Sequence, residues 1–199
     1  METLFDRAAK ISRTQVTKMR WVLGLHGLAS VVFGVMILAW PGISVYALTI
    51  VFGAYTLATG IVEFGTSFGL STLHLAAALR DNGGGRLITS EFEPAKLARA
   101  KANLAEAGLA DLVEFREGDA LETLATNLPG TIDLVLLDGA KALYSDILDR
   151  LESRLRLGAI LIADNADYCP EYLERVGDLA NGYMSMPFSD EVELSIRLG

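Results

Sequence analysis

Residues 132–141 read Ile-Asp-Leu-Val-Leu-Leu-Asp-Gly-Ala-Lys, and residues 159–165 read Ala-Ile-Leu-Ile-Ala-Asp-Asn. Each opens on an apolar run of strand length, Ile132 to Leu137 and Ala159 to Ala163. Leu143 to Leu155 between them reads as a helix. A buried strand, a helix and a second buried strand imply parallel strands joined by a crossover helix. The polar residues then fall at neighbouring strand ends: Asp138, Lys141, Asp164 and Asn165. Three oxygen donors of this kind suit a hard divalent cation such as Mg2+. A lysine beside them is a candidate base for a hydroxyl proton; the plainer alternative is an exposed lysine at a helix start.

The alternation continues on both sides. Ile61 to Phe64, Arg86 to Ser90 and Leu112 to Arg116 read as strands. Leu70 to Arg80, Pro94 to Ala107 and Leu121 to Thr126 read as helices. Pro94 suits a first helical turn and Gly108 suits the position after a helix end. Glu171 to Leu179 reads as a further helix. Tyr183 to Met186 and Val192 to Leu198 read as a final antiparallel pair. The expected fold is α/β, a doubly wound, mostly parallel sheet over residues 61–199. Ligands in such sheets bind at the carboxyl ends of the strands.

The charge pattern divides the chain. Of its 199 residues, 51% are hydrophobic and the net charge is −8. Residues 1–20 carry a net +3, residues 21–60 no charged side chain, and residues 61–199 a net −11. An acidic body argues against nucleic acid as a partner, because phosphate binding needs clustered Lys and Arg. Cys169 is the only cysteine, so the chain has no internal disulfide.

Val22 to Trp40 is an apolar run of helix-spanning length, Pro41-Gly42 breaks it, and a second run begins at Ile43. The expectation is a basic leader over 1–20 and a transmembrane helical hairpin over 21–60. The positive-inside rule then places the leader and residues 61–199 in the cytoplasm, with the membrane as a partner through residues 21–60.

Glu63-Phe64-Gly65-Thr66-Ser67-Phe68-Gly69 ends the first strand. Glu91 ends the second, where a carboxylate can accept hydrogen bonds from both hydroxyls of a ribose. Gly118-Asp119-Ala120 follows the third, where an adenine ring would lie. In this order the three elements point to a nucleoside cofactor; the alternative is acids that only cap helices.

On these motifs residues 61–199 resemble a class I S-adenosylmethionine-dependent O-methyltransferase of the cation-dependent, catechol type, with a Rossmann-like fold. Glu63 to Thr72 is similar to the family's first motif and Thr89 to Pro94 to its second. Leu137 to Lys141 and Ala163 to Asn165 are similar to its metal and base motifs. The resemblance implies that Asp138, Asp164 and Asn165 hold Mg2+ and that Lys141 is the catalytic base. It implies that Glu63, Gly65, Thr66, Ser67, Gly69, Ser71, Glu91, Asp119, Ala120 and Asp138 form the S-adenosylmethionine site. The acceptor would be a small hydroxylated, catechol-like molecule. Relatives of this kind often pair, which adds a homodimer to the expectations.

Two departures follow from the same comparison. Gly139-Ala140 stands where relatives often carry a bulky residue, which implies a thin wall beside the acceptor. The usual cover helices before the first strand are replaced by the apolar block. That block, through Arg20-Trp21, Gly27, Phe33-Gly34, Trp40-Pro41-Gly42 and Phe52-Gly53-Ala54-Tyr55 through Gly60-Ile61, resembles a helix pair of the HdeD-type membrane proteins. The alternative function is therefore a membrane protein with an inactive or truncated methyltransferase-fold domain and a stress-related role.

Overall fold

A computed structural model of the protein describes residues 60–189 and 191–199. The expected leader over 1–20 and hairpin over 21–60 lie outside the described residues, apart from Gly60. Gly60, the last residue of the expected hairpin, is the first residue of a strand. Among the described residues no helix is long and apolar enough to cross a membrane.

The strands are β1 (Gly60–Phe64), β2 (Arg86–Glu91), β3 (Val113–Glu117), β4 (Ile132–Leu137), β5 (Leu155–Asp164), β6 (Tyr183–Pro187) and β7 (Val192–Arg197). They form one sheet in the order β3-β2-β1-β4-β5-β7-β6. The pairs among β1 to β5 are parallel, and β7 runs antiparallel to both β5 and β6. The helices are α1 (Leu70–Asp81), α2 (Pro94–Glu106), α3 (Ala120–Thr123), α4 (Tyr144–Leu151) and α5 (Pro170–Gly177). The alternation legible in the sequence thus gives the expected doubly wound sheet.

Successive strand residues point to opposite faces, which splits the core in two. Val62, Ile88, Val135, Leu137 and Leu161 pack with Ile147, Leu148, Tyr172 and Val176 of α4 and α5. Ile61, Leu87 and Leu134 pack on the other face with Leu75, Ala76 and Leu79 of α1 and Leu104 of α2. Asp133 interrupts β4 without exposing it. Its carboxylate accepts from the Gly60 N–H at 3.0 Å and from Arg156, so a buried charge is paired and the first residue of β1 is anchored.

Two spans differ from the sequence reading. The helix expected to run to Leu155 ends at Leu151 and passes through a 3-10 turn, Glu152–Arg154. Strand β5 starts at Leu155 rather than Ala159, with a register irregularity against β4 between Ile132 and Leu134. Gly158, at φ +76°, lets the strand bend within that stretch.

The sheet's strand order reverses at β1, between β2 and β4, and the chain crosses closely there. The Asp138 N–H donates to the Phe64 carbonyl at 2.8 Å. Gly65 has φ +108°, and a Cβ on it would meet the Asp138 backbone and lie 2.8 Å from the Gly139 nitrogen. Backbone atoms of this kind cannot move aside singly. Gly65→Ala should therefore lower the unfolding free energy by about 2–5 kcal/mol, the sum of a left-handed backbone and overpacking. Gly108→Ala, at φ +67° with open space around it, should cost only about 1 kcal/mol. Denaturant unfolding of the two variants checks the difference, and equal costs would remove the steric argument.

Candidate active site

The loop after β1 is built on a buried carboxylate. Glu63 is inaccessible to solvent. It accepts from Ser71 Oγ at 2.5 Å, Thr72 Oγ1 at 2.6 Å and Thr89 Oγ1 at 2.6 Å. Thr66 Oγ1 lies 2.5 Å from Thr89 Oγ1, which ties the loop into the same group. Glu63 therefore sits beneath the loop, and Ser71, which is half-buried, reaches the surface above it. Burial pushes the Glu63 carboxyl above its ordinary range, and the three hydroxyls oppose that shift.

Glu91 stands across the loop. Its Oε2 accepts from the Ser67 N–H at 2.8 Å and its Oε1 from the Glu93 N–H at 2.9 Å. Each oxygen has only one of these backbone partners, so each keeps a lone pair for a ligand. Ser67 is exposed with φ +48°, and Gly69 has φ +83° at the start of α1. At the third strand end the Gly118 N–H donates to the Glu91 carbonyl at 2.9 Å. Asp119 caps α3 by accepting from the Leu121 N–H at 2.8 Å, and Ala120 is buried. Asp119 thus caps a helix, whereas Glu91 accepts from amides of the loops beside it.

The ends of β4 and β5 bring Asp138, Lys141 and Asp164 together. Lys141 Nζ lies 3.4 Å from Asp138 Oδ1 and 3.8 Å from Asp164 Oδ2. Partial burial holds the Asp138 carboxyl above its ordinary value; the Lys141 ammonium lowers it and the Asp164 carboxylate raises it. Asn165 follows at φ +50°, a left-handed conformation that Asn tolerates. Among the described residues no three His, Cys, Asp or Glu side chains form a ready metal cluster. The set here is two carboxylates and an adjacent amide.

A Cβ on Gly139 would fall 2.6 Å from the Phe64 ring, so that ring occupies the space a side chain would take there.

Two further residues join the site without a signal in the sequence. The Asn165 Nδ2 donates to Glu191 Oε2 at 3.1 Å, and the Ala166 N–H donates to the Glu191 carbonyl at 3.0 Å. Glu191 belongs to the turn between β6 and β7, which no spacing rule links to Asn165. Tyr144, the first residue of α4, accepts from Lys141 Nζ at 2.9 Å. Its spacing of three residues from Lys141 was available, but an aromatic residue opening a helix reads as core.

Residues 62–166 match the family model described as "Methyltransferase domain". Residues 25–80 match one described as "Short repeat of unknown function (DUF308)", in line with the resemblance of the first segment. The two matches share residues 62–80, which the structure places in β1, its loop and α1. The chain is similar to a catechol O-methyltransferase of Niastella koreensis, 36% identical over 111 residues, covering 54% of this chain and 49% of that protein. It spans about half the length of the curated relatives it matches. Among solved structures it is similar to the cofactor-bound Rv0187 from MTB, with TM-score 0.69, 26% identity, and 77% and 79% of the two chains covered. It is also similar to the O-methyltransferase TomG from Streptomyces achromogenes in complex with SAM, with TM-score 0.64, 25% identity and the same coverage.

Glu63 supplies a prediction. Its folded-state pKa is raised, so between the ordinary value of 4.5 and that higher value the folded chain holds more protons than the unfolded one. Stability from this group therefore falls as pH rises through that window. Denaturant unfolding from about pH 4 to 8 should show the wild type losing stability relative to Glu63→Gln as pH rises. A constant difference would mean that Glu63 does not titrate with folding.

Proposed function

This chain belongs to the methyltransferase-domain family, and on that premise we propose that it is an S-adenosylmethionine-dependent, metal-assisted O-methyltransferase for a small catechol-like acceptor. The observation that carries the reading is the meeting of Asp138, Lys141 and Asp164 beside the Gly65 loop. The relative named for catechol methylation supports the acceptor class, and the solved relative holding SAM supports the cofactor.

S-adenosylmethionine supplies, when bound, an electrophilic methyl group. Glu91 accepts from the ribose hydroxyls, with its carboxylate aimed by the Ser67 and Glu93 amides. Ser71 and the backbone around Gly65, Thr66 and Gly69 hold the methionine end. Asp119 and Ala120 flank the adenine. The donor set at β4 and β5 fits a hard dication, being all oxygen and carrying two formal negative charges. Such an ion favours the ionised acceptor oxygen. In its neutral amine form Lys141 takes the acceptor's hydroxyl proton. Holding the acceptor oxygen and methyl group in line then contributes much of the rate.

Titration calorimetry of the full chain with S-adenosylmethionine should show saturable binding. Methyl transfer to catechol should stop on chelation and return with Mg2+. Asp164→Ala should abolish that Mg2+-dependent turnover and leave cofactor binding intact. Lys141→Met should lower turnover by about 10²- to 10⁴-fold. Absence of binding would overturn the reading. Binding without transfer to any of a catechol panel would favour an inactive methyltransferase-fold domain.

A further inference from the structure

Tyr144 is fully buried beneath the site. Its ring meets Phe64 edge-on at a centroid distance of 6.2 Å and Tyr172 at 5.8 Å. The hydroxyl oxygen lies 2.8 Å from the Leu137 carbonyl and 2.9 Å from the Asp164 carbonyl. Lys141 Nζ donates to the same oxygen at 2.9 Å. A phenol carries one proton, so it donates to one carbonyl at a time and accepts from the ammonium.

The identity of the three partners is what matters. Leu137 is the last residue of β4 and immediately precedes Asp138. Asp164 is the last residue of β5 and carries the second carboxylate. Lys141 lies in the turn between β4 and α4. One oxygen atom therefore joins both carboxylate-bearing strand ends to the amine that faces them. The Lys141 side chain is 24% exposed and has four rotatable bonds, and the Tyr144 hydroxyl is its uncharged anchor. The Lys141 carbonyl is held separately, by the Cys169 thiol at 2.8 Å. Both ends of the lysine are thus fixed from within the core.

We infer that Tyr144 is a positioning residue, whose hydroxyl sets Lys141 against the Asp138 and Asp164 carboxylates and fixes the spacing of the two strand ends. The inference rests on the methyltransferase reading for the role of Lys141. It does not rest on that reading for the spacing of the carboxylates.

The test uses the full chain. Tyr144→Phe keeps the ring between Phe64 and Tyr172. Turnover should fall about a hundredfold, as for a reacting group misplaced by about an ångström, with an unchanged KM for S-adenosylmethionine. At saturating Mg2+, the same change in a Lys141→Met background should cost nothing further, because the residue it positions is gone. Mn2+ affinity, read by electron paramagnetic resonance without turnover, should weaken about tenfold. A second variant, with 4-aminophenylalanine in place of Tyr144, offers two N–H donors to the carbonyls but a poor acceptor to Lys141. It should keep the Mn2+ affinity and lose turnover. An equal loss in both Lys141 backgrounds, or full turnover in the amino variant, would overturn the inference. A wild type that transfers no methyl group but whose Mn2+ affinity falls in Tyr144→Phe would sink the activity and leave the strand-end role standing.

Discussion

The close crossing of β1 and β4 is the constraint on which the site depends. Two backbones meet there at Gly65, where a Cβ would strike the Asp138 backbone, and the missing Cβ of Gly139 leaves room for the Phe64 ring. The hydrogen bond from the Asp138 N–H to the Phe64 carbonyl ties the residue after β4 to the last residue of β1. That tie holds Asp138 beside the glycine loop. Without it the nucleoside elements on β1 to β3 and the carboxylates on β4 and β5 would be two separate features of one sheet edge. Ligand sites of doubly wound sheets form where the strand order reverses, and here Asp138 and the glycine loop meet at that point.

The fold was legible because the chemistry of each element is local. Six apolar or enclosed residues from Ile132 to Leu137 can only be a covered strand, and the helices between strands announce their ends with Pro94 and Gly108. The acids and the lysine at the strand ends were legible for the same reason: a polar residue that stops a buried run must lie at its end. What stayed hidden depends on pairing across the fold. Ser71 and Thr72 look like ordinary helix-start residues until the loop turns them onto Glu63. Phe64 looks like core until Gly139 makes room for its ring. Glu191 meets Asn165 only because β7 runs antiparallel beside β5, bringing a distant turn to the strand end. The start of β5 was misplaced because Leu155 continues the apolar spacing of the helix before it.

The site also shows how buried charge is managed within a small volume. Glu63 has hydroxyls for partners and no cation, whereas Asp133 has Arg156 and a backbone amide. The first arrangement leaves a carboxyl with no cation partner under the loop, close to the first turn of α1. The second cancels its charge and serves to hold the sheet together at the far end of β1. Carboxylates with these two kinds of partner, at opposite ends of neighbouring strands, separate the reactive end of the sheet from its structural end.

The left-handed backbone at Asn165 limits which side chains the position tolerates. Asn, Asp and Gly adopt such a conformation readily, and bulky or branched residues do not. Of the three, only Asn offers a neutral oxygen: Asp adds a charge and Gly removes the donor. The backbone therefore restricts this position to a set in which one residue keeps the formal charge of the donors at minus two. A doubly positive ion among them would balance the two carboxylates, a match set as much by a dihedral angle as by either acid.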